Sequence, residues 1–421
     1  MFDRPARRSS DVSFICNVRH FADEGLSMDK GVLITDGENR IALSILRSLA
    51  RRNIETAITV ENQIALSSFS RYCRNRILCP SSSKDMNGFV VAIRQLTKKR
   101  RFDSLFPVTD TSLITVSEHR DTLDPCVKRS LSSHESVNKA YDKALTLMAA
   151  DEEGIPIPKT FFVQSVAQLK DAAGKVTYPA VIKPRWSWVW NQSKISYSRG
   201  NYINSASELL LSYKAIHENF PYPLIQEYVP GKNVSVAVIF DHGTPKAACC
   251  IKVHRTSPVT GGNSVLRETI QPDPKMTKYA FKLLKSLEWH GVAEVEFKVD
   301  ARDSTPKLME INGRFWASLQ VAIDSGIDFP YLLYQLVTDG RIQPVFDYKI
   351  GVKGRWLLGD VENLLSVLRG KPRIKALRTS RLRTILNFLK FYERDMHYDN
   401  FSRNDPMPFF MNIRSIKPWR H

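Results

Sequence analysis

Acidic side chains alternate with apolar ones in two short segments near residue 300. The segments are residues 294–298 (EVEFK) and 308–312 (LMEIN). Their period of two predicts two strands, and the Asp and Ser residues of 301–305 suit a turn between them. In a hairpin closed by that turn, Glu296 lies opposite Glu310, and Asn312 lies on the same face as Glu310.

Two opposed carboxylates create a repulsion that a metal ion would remove. Opposed Cβ atoms in an antiparallel pair lie roughly 5 Å apart, so like charges there destabilise the pair. Ligands that offer only oxygen favour Mg²⁺ or Mn²⁺ over Zn²⁺. The alternative is a solvated sheet face on which Lys298 pairs with the acids. Hairpin geometry alone leaves both interpretations open.

Two lysines add a second candidate chemistry. Lys143 lies on a predicted helix that Gly154 ends, and Lys183 ends a predicted strand just before Pro184. A lysine at a strand end can point at a phosphate group. Taken singly, it is more often a solvated strand end.

The chain begins its predicted structure with a β-α-β unit. A buried strand is predicted at 31–35, an amphipathic helix follows through residues 41–49, and further strands are predicted at 57–60 and 106–109. The turn at 36–39 lacks the G-x-G-x-x-G pattern, so the sequence does not support dinucleotide binding there.

The elements that would position the lysines and acids come later. Capping-box spacing at 132–135 predicts one helix that runs to about Glu153. Further predicted elements are strands at 178–183 and 224–228, a hairpin of 234–240 with 247–253, and a helix at 276–289. From residue 345 onward the chain is basic, helical in places and uninformative about chemistry.

Composition restricts the class of protein. The chain has 421 residues, 43% hydrophobic and 25% charged, which predicts a globular protein of two or three domains. No apolar run is long enough to span a membrane, and residues 1–10 lack the apolar core of a signal peptide. The six cysteines have no zinc-site spacing, which favours a reducing, cytoplasmic location.

The net charge of +18 is compatible with nucleic acid, anionic lipid or acidic small molecules as partners. The basic residues are spread out, and the densest runs are 98–101 and 369–383. No nucleic-acid-binding motif accompanies them. A solvated basic surface is therefore favoured over a specific polyanion site, and no specific nucleic acid is expected.

Taken in order, the motifs resemble those of a known superfamily. They are Asp142-Lys143, 154–156 (GIP), 179–184 (PAVIKP), 225–231 (IQEYVPG), Glu296 and 309–314 (MEINGR). This order resembles the ATP-grasp fold of carbamoyl-phosphate synthase, biotin carboxylase and D-alanine ligase. It looks closest to the bacterial carboxylate–amine ligase-like branch, partly because of 261–264 (GGNS) and 314–318 (RFWAS). The resemblance covers about residues 30–360.

The resemblance implies the fold class and the roles of individual residues. The fold would be α/β and α+β, an ATP-grasp fold with an N-terminal Rossmann-like domain. Magnesium, or manganese, would be held by Glu296, Glu310 and Asn312. Lys143 and Lys183 would contact the ATP phosphates, and Arg314 would steady the transferred phosphoryl group or the acyl phosphate. The adenine hinge would comprise Gln226, Glu227, Tyr228 and Val229.

Two positions depart from the family pattern. A glycine-rich loop usually follows the second lysine, whereas this chain has 185–191 (RWSWVWN), whose tryptophans would line a core face or shape a lid. Relatives often carry a ribose-binding Glu where this chain has Asn233, so the choice of nucleotide is less defined.

The acceptor side has candidate residues around a glycine pair. His254, Arg255 and Arg267 flank Gly261-Gly262. A guanidinium group binds a carboxylate through two hydrogen bonds, which suits a carboxylate substrate. A solvated loop with structural glycines is the alternative.

The expected organisation is an N-terminal arm (1–27), a Rossmann-like domain (28–128), two ATP-grasp lobes (129–230 and 231–345) and a basic extension (346–421). The expected function is an ADP-forming ligase that activates a carboxylate as an acyl phosphate and joins it to an amine. Its expected partners are small molecules, and a homodimer is an expected assembly. The alternatives are a catalytically silent ATP-binding module and a polyanion-binding protein.

Overall fold

The N-terminal part of the chain forms a parallel sheet. The computed structural model describes residues 30–99, 102–128, 130–191, 194–198, 200–259, 261–370 and 379–414. The first sheet has the order β3-β2-β1-β4 and contains β1 (Val32–Ile34), β2 (Thr56–Val60), β3 (Asn75–Leu78) and β4 (Ser104–Phe106). All its pairings are parallel. The prediction of a Rossmann-like N-terminal domain is confirmed.

Helices connect and cover this sheet, as parallel pairing requires. They are α1 (Arg40–Ala50), α2 (Met86–Lys99), α3 (Asp110–Glu118) and α4 (Pro125–Lys128). The predicted strand at 106–109 ends earlier, at Phe106. Thr109 instead caps α3, since its side chain accepts a hydrogen bond from the backbone N–H of Ser112 at 3.2 Å.

The helix predicted from residue 132 to about 153 is in fact two helices, α5 (His134–Tyr141) and α6 (Lys143–Glu152). Asp142 separates them with an extended backbone (φ −81°, ψ 107°) and caps α6 by accepting a hydrogen bond from Ala144 N at 2.9 Å. The same carboxylate receives two hydrogen bonds from the Arg185 guanidinium group. The break makes Lys143 the first residue of α6.

A second, antiparallel sheet follows, with the order β5-β10-β6-β9. Its elements and connections are β5 (Thr160–Phe162), α7 (Val166–Lys175), β6 (Ala180–Lys183), β7 (Trp188–Asn191), β8 (Lys194–Tyr197), β9 (Asn201–Ile203), α8 (Ala206–His217) and β10 (Leu224–Glu227). Apolar residues of α7 and α8, such as Leu169 and Leu209, share one core cluster with Ile182 and Ile225 of the sheet.

The tryptophan-rich segment forms a separate two-stranded hairpin, β7 with β8. Trp188 is half-buried and packs on Tyr197, with ring centroids 4.8 Å apart. Tyr141 at the end of α5 donates a hydrogen bond to Trp188 O at 2.9 Å. The side chain of Trp190 lies outside the described residues. The hairpin is therefore tied to the end of α5.

A seven-stranded sheet forms the centre of the molecule, in the order β15-β14-β11-β12-β13-β16-β17. The strands are β11 (Gly231–Asp241), β12 (Thr244–Ser257), β13 (Asn263–Thr269), β14 (Gly291–Asp300), β15 (Pro306–Asn312), β16 (Lys353–Arg355) and β17 (Met396–Tyr398). All neighbours are antiparallel except β16 and β17. The predicted hairpin around residues 241–243 is confirmed as β11 with β12.

Helices cover both faces of this sheet. They are α9 (Pro274–Ser286), α10 (Leu319–Asp324), α11 (Phe329–Asp339) and α12 (Leu357–Arg369). Of the two helices that follow, α13 (Arg381–Phe388) packs on α12, and α14 (Met407–Arg414) packs on residues 66–69. One core joins the sheet to α9 and α5, and another joins it to α1, α10 and α11. No helix within the described ranges is long and apolar enough to cross a membrane.

Residues beyond 345 extend the central sheet, which the sequence did not predict. Arg355 of β16 is fully buried and donates hydrogen bonds to Asp360 Oδ2 at 2.7 Å, Phe388 O at 2.7 Å and Lys390 O at 2.9 Å. These contacts bind the segment after α12 to the sheet.

Asp142 offers a test of the helix break. We expect Asp142→Ala to lower the free energy of unfolding by about 2 kcal/mol, because it removes both the cap of α6 and the partner of Arg185. Urea denaturation measures this change. Asp171→Ala is the control, since Asp171 is exposed and pairs only with Lys175 one turn away; its effect should stay below about 0.5 kcal/mol. Equal effects in the two variants would contradict the assignment.

Candidate active site

The β14–β15 hairpin has the predicted register. Glu296 pairs with Glu310, and Glu294 pairs with Asn312. A bulge follows Glu296, so Phe297 pairs with Leu308 and the register shifts beyond that point. The prediction that the two glutamates face each other is confirmed.

Three cationic side chains surround Glu310. Lys143 Nζ lies 3.3 Å from Glu310 Oε2 and 3.1 Å from Ser187 Oγ. Lys183, at the end of β6, and Arg314 also interact electrostatically with Glu310. Burial raises the pKa of Glu310, but Lys143, Lys183 and Arg314 together bring that pKa below its ordinary value. Glu310 is therefore the ionised member of the pair.

Lys183 is itself perturbed by this environment. Burial lowers the pKa of Lys183, and the neighbouring Lys143 lowers it further, while Glu310 and Glu296 oppose the change. Both lysines interact with Glu310, which is their shared anionic partner. An anionic ligand with more than one charge would relieve their mutual repulsion.

Glu296 differs from Glu310, because its pKa is raised and that of Glu310 is lowered. Burial raises its pKa well above the ordinary value, and the charges of Glu310 and Glu294 add to the shift. Asn312 Nδ2 donates hydrogen bonds to Glu296 Oε1 at 2.8 Å and to Glu294 Oε2 at 3.1 Å. The hairpin therefore disfavours the charged form of Glu296 relative to an exposed glutamate.

Sequence reasoning missed Glu294 as a site residue. Its side chain is buried and accepts hydrogen bonds from Ser235 Oγ at 2.8 Å and Ser318 Oγ at 3.4 Å. Burial also raises its pKa. The signal was available, since residues two apart in a strand share a face and Glu294 stands two before Glu296.

The donor set fits a hard divalent cation. Glu296 and Glu310 offer carboxylate oxygens across the hairpin, and a half-turn of the Asn312 amide would present Oδ1 instead of Nδ2. Oxygen-only ligands suit Mg²⁺ or Mn²⁺. The raised pKa of Glu296 fits the same interpretation, because it records a carboxylate that lacks a sufficient positive neighbour. The alternative partner Lys298 lies instead over the ring of Tyr228, 5.4 Å from its centroid.

Arg314 is held by the N-terminal domain. Its Nε and Nη2 donate to the two carboxylate oxygens of Asp110 at 2.7 Å and 3.0 Å, and Nη2 also approaches Asn312 Oδ1 at 3.4 Å. Asp110 begins α3, more than 200 residues earlier in the chain. No local pattern links the two residues, so sequence reasoning could not find Asp110.

The predicted hinge lies at the end of β10, and its side chains already have partners. Gln226 is buried and donates to Thr160 Oγ1 at 2.9 Å. Glu227 receives hydrogen bonds from Lys307 Nζ at 2.5 Å and Arg302 Nη2 at 3.1 Å. Burial raises the pKa of Glu227, but Lys307 and the other donors bring it below its ordinary value. These side chains stabilise the hinge itself.

Two of the remaining nucleotide-site positions, Tyr228 and Asn233, lie beside Lys298. Val229 is buried, and the Tyr228 ring meets that of Tyr202 edge-on at 5.8 Å. Asn233 is exposed on β11 and pairs in register with Lys298. Burial and Lys183 lower the pKa of Lys298 to about 8. Lys298 on β14 therefore lies near both the hinge residue Tyr228 and Lys183 of the second sheet.

The predicted acceptor residues have other partners. Arg255 donates to both carboxylate oxygens of Asp360 at 2.8 Å and 2.6 Å. Arg267 is fully buried, where it contacts Asp399 and donates to Ala317 O at 2.9 Å. His254 is exposed, and its Nε2 lies 2.7 Å from Glu268 Oε2. The two arginines therefore connect β12 and β13 to the C-terminal segment.

Comparisons with known proteins agree with this architecture. A family profile described as "ATP-grasp in the biosynthetic pathway with Ter operon" matches residues 219–357, which include the hinge and the β14–β15 hairpin. The carbamoyl phosphate synthase large chain of Pyrococcus furiosus is 25% identical over 236 residues, 55% of this chain and 21% of that protein. The chain spans about a fifth of the length of the curated relatives it matches.

Two solved structures share the fold. The N5-carboxyaminoimidazole synthetase of Staphylococcus aureus matches with a TM-score of 0.60 and 14% identity, over 77% of this chain and 81% of that chain. The biotin carboxylase of Campylobacter jejuni, solved as a β-γ-ATP complex, matches with a TM-score of 0.59 and 17% identity, over 77% and 74% of the two chains.

Residues 219–357 match an ATP-grasp family profile, and the chain has the ATP-grasp fold of these solved structures. Its two antiparallel sheets and parallel N-terminal sheet make up an ATP-grasp fold of the expected class. Within that fold, the residues gathered at one location are Lys143, Lys183, Glu294, Glu296, Glu310, Asn312 and Arg314. They come from four separate parts of the ATP-grasp chain.

Replacing Glu296 or Glu310 by an uncharged residue should change the stability of the metal-free protein in opposite directions. The pKa of Glu296 is higher in the folded protein than in the unfolded chain. Its contribution to the free energy of unfolding is therefore present below about pH 4.5 and is lost as the pH rises through the pKa of the folded state. The folded pKa of Glu310 is lowered, so its contribution exists above about pH 4.5 and is lost as pH falls.

We therefore expect Glu296→Gln to raise, and Glu310→Gln to lower, the urea midpoint at about pH 8 in EDTA. The Glu296→Gln gain should shrink as pH falls toward about 4.5. Paired urea titrations at several pH values measure both effects, with Glu118→Gln at an exposed position of α3 as the control. Shifts of the same sign in the two variants would contradict the assigned charge states.

Proposed function

We propose that this ATP-grasp protein uses ATP to activate a small-molecule carboxylate as an acyl phosphate and then joins the acyl group to an amine, releasing ADP and phosphate. The convergence of Lys143, Lys183 and Arg314 on the Glu296–Glu310 pair carries the proposal. The named relatives support it, since they include a carbamoyl phosphate synthase, a carboxyaminoimidazole synthetase and an L-amino acid ligase.

The cationic side chains suit the charge that moves in phosphoryl transfer. The transferred group carries its charge on peripheral oxygens, and fixed cations in a water-poor site stabilise that charge. Lys143 and Lys183 would bind the terminal phosphates, and Arg314 would steady the phosphoryl group or the acyl phosphate. Activation is required because a carboxylate is a poor electrophile with a poor leaving group.

Mg²⁺ or Mn²⁺ would be held by Glu296, Glu310 and Asn312. Glu294 would position Asn312 by accepting a hydrogen bond from its amide. Bound there, the metal would supply charge neutralisation for the phosphates. A biotin carboxylase domain with the same fold was solved with MgADP and bicarbonate, which supports this cofactor pair.

The adenine would bind at the hinge of Gln226, Glu227, Tyr228 and Val229. The side chains of Gln226 and Glu227 already have protein partners, so the backbone groups of Glu227 and Val229 are the proposed contacts to the base. Asn233 would provide a neutral contact to the ribose.

The other expectations stand as parts of this proposal. We propose that the lobes divide near residues 128, 230 and 345, that the enzyme works in the cytoplasm without specific nucleic acid, and that it forms a homodimer. For the carboxylate substrate, His254, Arg255 and Arg267 all contact carboxylates of the chain itself, and His254 is the favoured candidate because it is the exposed one of the three.

A catalytically silent nucleotide-binding module is the second candidate. The observation that favours it is the Asp110 carboxylate, which takes both Nε and Nη2 of Arg314, while Nη1 donates to Phe315 O at 3.0 Å. The described hydrogen bonds use four of the five N–H donors of Arg314, so a bidentate contact with a phosphoryl group would require it to exchange a partner. ATP binding without turnover, across a panel of carboxylates and amines, would favour this candidate.

The assignment of Lys183 predicts a selective loss of nucleotide affinity. We expect Lys183→Met to weaken binding of a non-hydrolysable ATP analogue by about tenfold or more, because a buried charged hydrogen bond to phosphate contributes about 1.5–3 kcal/mol. Isothermal titration calorimetry measures the affinity. Lys98→Met and Lys99→Met at the exposed end of α2 are the matched controls. Equal small effects at all three positions would overturn the phosphate assignment.

The reaction class predicts the nucleotide product. With a suitable carboxylate and no amine, we expect ADP to accumulate while hydroxylamine traps the activated acyl group as a hydroxamate. The lysines and the oxygen ligands lie together at the proposed position of the terminal phosphates, so we expect the carboxylate to attack the γ-phosphate. ADP is the nucleotide that this attack releases. Chromatography of the nucleotides and a colorimetric hydroxamate assay measure the two products. AMP with pyrophosphate as the products would overturn the mechanism while leaving ATP binding intact.

A further inference from the structure

A second group of ligating side chains lies at the other end of the central sheet. Asp241 and His242 stand at the β11–β12 turn, and His290 directly precedes β14. One ligand atom from each of the three side chains lies within 4.8 Å of the other two. Across the ranges that the structure describes, this is the one group of three or more such residues.

The three side chains are already close to one another. His290 Nδ1 lies 3.6 Å from Asp241 Oδ1, and the imidazole rings of His242 and His290 stack with centroids 4.2 Å apart. His290 is buried, Asp241 is half-buried and His242 is exposed. The buried His290 would therefore be the fixed ligand of the site. The exposed His242 would rotate out of the stack toward an incoming ion.

Backbone contacts hold the ligands in position. His290 N donates to Ser132 Oγ at 2.6 Å, and that hydroxyl donates to His290 O at 2.9 Å. Gly243 N donates to Trp289 O at 2.8 Å, which ties the turn to the segment before β14. His242 has a positive φ of 42°, a conformation that non-glycine residues seldom adopt. The turn thus presents His242 beside His290 at the cost of some backbone strain.

We infer that Asp241, His242 and His290 form a binding site for a borderline transition-metal ion of the Zn²⁺ type. Two imidazole nitrogens and one carboxylate oxygen are a ligand set that Zn²⁺ accepts, and Mg²⁺ prefers oxygen ligands alone. The fourth position would hold water. Lys246 Nζ lies 3.8 Å from Asp241 Oδ2, which leaves Oδ1 on the side of His290.

This site is separate from the oxygen ligands of the proposed magnesium site. His290 precedes Glu294 by four residues, which is about 13 Å along an extended strand. Its ion would link the β11–β12 turn to the start of β14. Metal binding there would stabilise the strands that carry the acidic hairpin, without taking part in phosphoryl transfer.

Zinc binding to the full-length protein tests the inference. The EDTA-stripped protein is titrated with Zn²⁺ against a chromophoric chelator, with Mg²⁺ in large excess to occupy oxygen-only sites. We expect one tight zinc per chain and a higher unfolding temperature with Zn²⁺ than with EDTA. Co²⁺ in place of Zn²⁺ should give the visible absorption of a four-coordinate site with nitrogen ligands.

Three variants and one control make the test specific. His242→Asn, Asp241→Asn and His290→Gln should each weaken zinc binding by about tenfold or more. His242→Asn is the decisive variant, because asparagine tolerates the positive φ of the turn and the side chain is exposed, so folding should persist. His397→Asn is the matched control, since His397 pairs with Asp324 at 3.7 Å outside any such three-residue group.

The outcomes separate clearly. Loss of the tight zinc and of its thermal stabilisation in His242→Asn, with both retained in His397→Asn, would support the site. Absence of stoichiometric zinc from the wild-type titration would overturn it. Equal zinc affinity in wild type and His242→Asn would also overturn it, because the ion would then be bound elsewhere.

Discussion

The repulsion between Glu296 and Glu310 is the constraint on which the rest of the site depends. An antiparallel hairpin forces the two carboxylates together, and their partial burial weakens the screening that water would otherwise provide. The protein compensates one of the two with lysines from distant elements and leaves the other with a raised pKa. Every element that brings a cation to this hairpin is therefore part of the same electrostatic arrangement.

Two of these cations reach the hairpin through secondary ion pairs. The Asp142–Arg185 pair fixes the break between α5 and α6, which makes Lys143 the first residue of α6 and brings it to Glu310. The pair of Asp110 with Arg314 joins the parallel sheet to the end of β15. Both pairs connect segments that are far apart in sequence. The three sheets are thus held in a relative position that the acidic hairpin requires.

The sequence predicted what local rules determine and missed what distant contacts determine. Strand period puts Glu296 and Glu310 on one face, and the bulge after Glu296 offsets a turn one residue longer than predicted, so that the two still pair. Alternating apolar residues define β11 and β12. One continuous helix was predicted across Asp142, because the apolar stripe continues on both sides of it. The helix instead breaks there, because Asp142 caps α6 and accepts hydrogen bonds from the distant Arg185. Partners such as Asp110 have no local signal. The three-residue strands β16 and β17 are too short for periodicity to reveal.

The unequal charge states of the two glutamates connect nucleotide binding with metal binding in the proposed reaction. Lys143 Nζ lies 3.3 Å from Glu310 Oε2, and phosphate oxygens would compete with Glu310 for that lysine. Each phosphate contact made by Lys143 therefore frees a Glu310 oxygen to act as a ligand. Glu296 must lose its proton before it can ligate a cation, since burial raises its pKa. The cleft consequently favours a cation that arrives together with a polyphosphate over either ligand alone, because each relieves the charge imbalance that the other creates.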